Sequence, residues 1–119
     1  LSNALYEIVG ASFKGGEAIK VLKASAKGAS AGLTTTKTAA DALITVLNSG
    51  IRGASRDNPM AAMDVLFKTV EVGKGNFENL ARALPPVIQT AAQMGVTFQE
   101  VSAFLATASL AGQSFEDAS

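Results

Sequence analysis

Residues 64–111, DVLFKTVEVGKGNFENLARALPPVIQTAAQMGVTFQEVSAFLATASLA, decide the fold. Apolar residues recur there at three- and four-residue spacing, and each run opens or closes on a readable cap. Asn58-Pro59, just upstream, predicts a helix with Asn at the cap and Pro at the first helical position. Met60, Met63, Phe67 and Val70 form its apolar stripe, and Asp64–Lys68 is an i,i+4 pair. Gly73 reads as the residue with positive φ that ends this helix, leaving Lys74 in an exposed elbow. Asn76 caps the next helix, with Phe77, Leu80, Ala81 and Leu84 inward and Glu78 paired to Arg82. Pro85-Pro86 is expected to end it and seed another, where Val87, Ile88, Ala91 and Ala92 pack until Gly95. Thr97-Phe98-Gln99-Glu100 is a capping box that opens a helix with Phe98, Val101, Leu105 and Ala108 inward, ended by Gly112. Ser114 is placed to cap a further one.

Upstream the same grammar continues. Ser2 or Asn3 caps a helix over about 4–12, with Leu5, Ile8 and Val9 on one face, broken by Gly15-Gly16. A second runs from Glu17 to Ala29 with Ile19, Leu22, Ala26 and Ala29 inward, Lys20, Lys23 and Lys27 on the neighbouring face, and Gly28 and Gly32 weakening its end. Thr34-Thr35-Thr36 supplies cap oxygens for a third, where Ala39, Leu43, Val46 and Leu47 face the core. Thr38, Asp41, Thr45 and Asn48 face water, and Gly50 stops the helix before a polar loop at 50–58. No convincing strand appears. The expectation is an all-α compact bundle of about seven short helices joined by Gly/Pro/Asn-capped turns, forming one domain over residues 1–119. The chain also reads as a fragment of a longer one. A faint likeness between 36–50 and 98–112 pairs Leu43 with Leu105 and Gly50 with Gly112; capped helices ending in glycine produce such a likeness by coincidence.

Composition narrows the chemistry. The 119 residues suit a single core, with 48% apolar residues but few aromatics. Cysteine, histidine and tryptophan are absent. That removes thiolate nucleophiles, zinc–thiolate sites, the commonest metal ligand and the side chain that titrates near neutrality. The nearest approaches to paired carboxylates, Glu116-Asp117 and Glu71/Glu78, sit near caps or on polar faces and do not form a cleft. The glycines around Lys74 lack the strand and spacing of a phosphate loop. Neither a catalytic, a metal nor a cofactor-binding site is expected, nor a small-molecule substrate. The stretches 83–99 and 101–115 are uncharged but too short or too polar to span a membrane, and the first residues lack a signal-peptide pattern.

Ten basic residues balance ten acidic ones, with seven bases and four acids in residues 1–60 against three and six in 61–119. The asymmetry is mild, though it could orient head-to-tail contacts. Lys14, Lys20, Lys23 and Lys27 could track a phosphate backbone. Without arginine or interleaved aromatics on that face, nucleic-acid binding is the weaker alternative and a solvated helix face the stronger. Met60, Met63 and Met94, with Phe67, Phe77, Phe98 and Phe104, read as core first, about a quarter of them free to meet a partner.

The order of these elements resembles the core region of phage tail tape measure proteins. The likeness begins at ALYEIVGASF (4–13), continues through TAADALITVLN (38–48), and is strongest in LFKTVEVGKGNFENLARAL (66–84) and AAQMGVTFQEVSAFLATASLAG (91–112). The family's F-x-T-V-x-x-G-K falls on Phe67, Thr69, Val70, Gly73 and Lys74, its F-x-x-L on Phe77 and Leu80, and its G-[VI]-x-x-[EQ]-[DE] on Gly95, Val96, Gln99 and Glu100. The resemblance implies a structural virion protein, made in the bacterial host cytoplasm and lying in the tail lumen, where such proteins set tail length and assist DNA delivery. It implies self-association and contacts with tail-tube and tail-tip proteins. It assigns no known contact to Gly73, Lys74 or Phe77, whose physical reading is an elbow and its anchor. Those three, with Lys20, Lys23 and Lys27, are the candidate interaction residues.

Overall fold

Each helix starts where a side-chain oxygen can satisfy an exposed backbone amide or where glycine frees the chain. The computed structural model describes residues 6, 8–10, 13, 15–31 and 34–110. Five helices are delimited among them: α1 (Gly16–Ser30), α2 (Thr36–Asn48), α3 (Pro59–Gly73), α4 (Phe77–Met94) and α5 (Phe98–Leu110). Residues 8–10 are also helical, and no strand occurs among the described residues. The remainder of the expected first helix, Leu5 included, lies outside the described residues, as do Lys14, Gly32 and everything from Ala111 onward.

The caps expected for α2 to α5 are present, while those expected at Ser2 or Asn3 and at Ser114 lie outside the described residues. Thr35 Oγ1 accepts from the Thr38 amide (3.2 Å), Asn58 Oδ1 from that of Ala61 (3.2 Å) and Asn76 Oδ1 from that of Asn79 (2.8 Å). In the capping box the Glu100 amide donates to Thr97 Oγ1 at 3.1 Å, while the Thr97 amide donates back to Glu100 Oε1 at 3.0 Å. Gly95 closes α4 in the left-handed conformation at φ 77°.

Packing gives two layers. In one, α3 lies between α1 and α5, which do not touch each other; in the other, α2 lies under α1 and α3 while α4 lies under α3 and α5. The shortest dimension, 18 Å, is two helices deep. Leu43, Leu66, Leu80, Ile88 and Leu105 are fully buried between the layers, each burial stabilising by roughly 1.5–3 kcal/mol.

Four features differ from the sequence reading. First, the two helices expected on either side of Pro85-Pro86 are one. Phe77, Leu80, Leu84, Ile88 and Ala91 keep a single buried face in phase across the prolines, which themselves face water. Two amide donors are lost, at a cost of about 3 kcal/mol or more for an interior proline, and the continuous apolar face offsets it. Second, α1 is rotated relative to its hydropathy pattern. Its buried stripe is Ala18, Val21, Ala24, Ser25 and Gly28, while Ile19 is half exposed. Small side chains win the inner face because they let α1 approach α2 and α3 closely. A Cβ on Gly28 would meet Phe67 Cζ at 3.2 Å and Ala39 Cβ at 3.4 Å, so this glycine is a contact point rather than a weak helix end. Val9, expected to face inward with Ile8, is half exposed.

Third, two local ion pairs are replaced. Asp64 faces Lys27 on α1 (3.8 Å), an exposed contact that contributes little. Arg82 donates to Asn79 Oδ1 (2.6 Å), while Glu78 accepts from Thr34 Oγ1 (2.7 Å). Fourth, the polar loop at 50–58 is docked. Ile51 is buried, Arg56 lies over the Phe13 ring at 3.9 Å and pairs with Glu17 at 3.6 Å, and the Arg52 carbonyl accepts from the Phe98 amide at 2.8 Å. Gln99 Nε2 donates to the Gly53 carbonyl at 2.7 Å, an approach a side chain at Gly53 (φ +90°) would block.

Candidate interaction surface

The elbow between α3 and α4 is built differently from its sequence reading. Gly73 remains inside α3 and is buried. Its carbonyl accepts from Ser109 Oγ at 2.7 Å, which ties the end of α3 to the end of α5. Lys74 instead takes the left-handed turn, at φ 56° and ψ 29°; it is the one non-glycine residue with positive φ among the described residues. The chain must turn immediately after the Ser109 contact, and the turn therefore falls on the residue that follows the buried glycine.

A left-handed conformation costs a residue with a Cβ roughly 1–2 kcal/mol, part of which glycine returns through a more flexible unfolded chain. Lys74→Gly is therefore expected to stabilise the chain by about 1 kcal/mol, read as a higher urea midpoint at constant slope. An unchanged midpoint would mean that the lysine side chain makes contacts of equal value.

Phe77 is an anchor in the strict sense. It is buried at 1% exposure, with its ring 6.2 Å from that of half-buried Phe67 in an edge-to-face arrangement at 63°. Of the candidate trio only Lys74 is presented to solvent. Lys20, Lys23 and Lys27 are exposed along α1. Lys20 Nζ donates to the Asp57 carbonyl at 3.2 Å and Lys27 faces Asp64, so two of the three ammonium groups contact neighbouring protein atoms. Asp64 and Lys74 are ten residues apart on α3, roughly 15 Å along the axis, so the structure does not gather the lysines with the elbow.

The surface that the sequence reading passed over is the outside of α5. Met94 and Phe104 are the two exposed members of the seven methionines and phenylalanines named above, and Leu110 is exposed at the end of α5. Two grooves flank the helix. One, of about 340 Å³, lies between α3 and α5 and is lined by Val65, Thr69, Val72, Ser102 and Ala106 among others. The other, of about 570 Å³, lies between α4 and α5 against Val87, Thr90, Met94, Val101 and Phe104. The signal was in the sequence: Val101–Leu110 contains no charged residue although the helix is partly exposed.

Each groove has one charged residue in its lining, Lys68 in the first and Glu100 in the second; Glu100 titrates away from its ordinary value. The Thr97 amide and then the Thr97 hydroxyl hold its carboxyl below the ordinary glutamate range, with Arg52 adding a smaller effect against slight desolvation. The capping box therefore stabilises α5 above the ordinary glutamate pKa, and that contribution disappears as pH falls through the lowered folded value. Amide exchange at the start of α5 is expected to rise through that acid window. Glu100→Gln should flatten the rise, and an unchanged profile would sink the assignment.

No group of His, Cys, Asp or Glu among the described residues is arranged to hold a metal ion. No described helix is long and apolar enough to cross a membrane. The sequence model of a family described as phage-related minor tail protein matches residues 1–119. No curated protein and no solved structure matches the chain.

Proposed function

The chain belongs to the phage-related minor tail protein family, and from that premise we propose that it is a helical interaction module of a tail tape measure protein. In this reading it lies in the tail lumen, associates with further copies and with tail-tube and tail-tip proteins, and works as a structural part rather than an enzyme. The observation that carries the reading is the order of motifs. Phe67, Thr69, Val70, Gly73 and Lys74, then Phe77 and Leu80, then Gly95, Val96, Gln99 and Glu100 follow one another with the tape-measure spacing.

The geometry gives that order a physical basis. The motif residues fall on the end of α3, the anchor of α4 and the cap of α5, the positions that fix how these three helices meet. A compact slab is not itself a ruler, because its longest dimension is 40 Å. Length would be set by the rest of such a protein, with this module holding it to its neighbours.

The test is genetic and structural. In a phage carrying this chain, in-frame deletions in helical sequence outside the module should shorten tails in proportion, measured by electron microscopy. Deleting residues 16–110 should block tail assembly or DNA delivery. Tails of unchanged length in the first set would overturn the tape-measure assignment, and normal assembly and infection after the second would overturn the role of the module.

A further inference from the structure

We draw no further inference here: the strongest candidate, the apolar outward face of α5 with the α3–α5 and α4–α5 grooves beside it, has a single charged residue in each groove lining, and nothing in the structure shows what covers it.

Discussion

Replacing Phe77 by alanine is expected to lower stability by about 3–5 kcal/mol, a large fraction of the ~5–15 kcal/mol available to a small domain. The ring is 1% exposed at the first turn of α4, just beyond the Asn76 cap. It meets Phe67 edge to face, and Phe67 in turn lies where a Cβ on Gly28 would touch it. Removing the Phe77 ring therefore withdraws one side of the support that holds α1, α3 and α4 in register, and neighbouring backbone held by the Ser109–Gly73 bond cannot close over the space. Phe67→Ala should cost less, because that ring is only half-buried. Urea unfolding with equal slopes would measure both. Equal losses for the two rings, or a loss below ~1 kcal/mol for Phe77, would contradict the packing described.

Much of the fold is legible in the sequence because caps are local chemistry. Thr35, Asn58, Asn76 and the Thr97–Glu100 box each act within three residues, so the spacing that reveals them is also the spacing over which they bond. The face of α1 is not legible in that way. Hydropathy puts Ile19 inside, but the distance between helices is set by Ala24, Ser25 and Gly28, whose value is their small size. The prolines at 85 and 86 mislead for a related reason: a local breaker is overridden by an apolar face that continues on both sides of it.

The candidate surface divides along the same line. Lys74 is legible as an exposed elbow, since glycines flank it, but the bond that ties the preceding Gly73 carbonyl to Ser109, 36 residues beyond it, leaves no local trace. The docking of the 50–58 loop on α5 depends on pairs more than forty residues apart and leaves no local trace. The exposed side of α5 did leave one, a helix without charge after its first turn, though its meaning depends on knowing that α5 forms an edge of its layer.

That edge position makes the second large effect a local one. Phe98→Ala is expected to cost about 3–5 kcal/mol, because the ring is completely buried at the first turn of α5. The Phe98 amide bond to Arg52 and the Gln99 bond to Gly53 do not involve the ring, so the start of the helix keeps its polar tethers while losing its apolar anchor. Against the rest of the molecule α5 leans mainly on α3, more lightly on α4, and not at all on α1 or α2. A loss at this edge should open α5 before it opens the α1–α2 side, since stability is distributed in cooperative units and an edge element belongs to the weaker ones. Hydrogen exchange on the variant should therefore show protection falling first along 98–110 and at the end of α3 around Gly73, with α2 amides retaining more of theirs. A uniform fall across all five helices would mean that the slab unfolds as one unit and that α5 is not a separable edge.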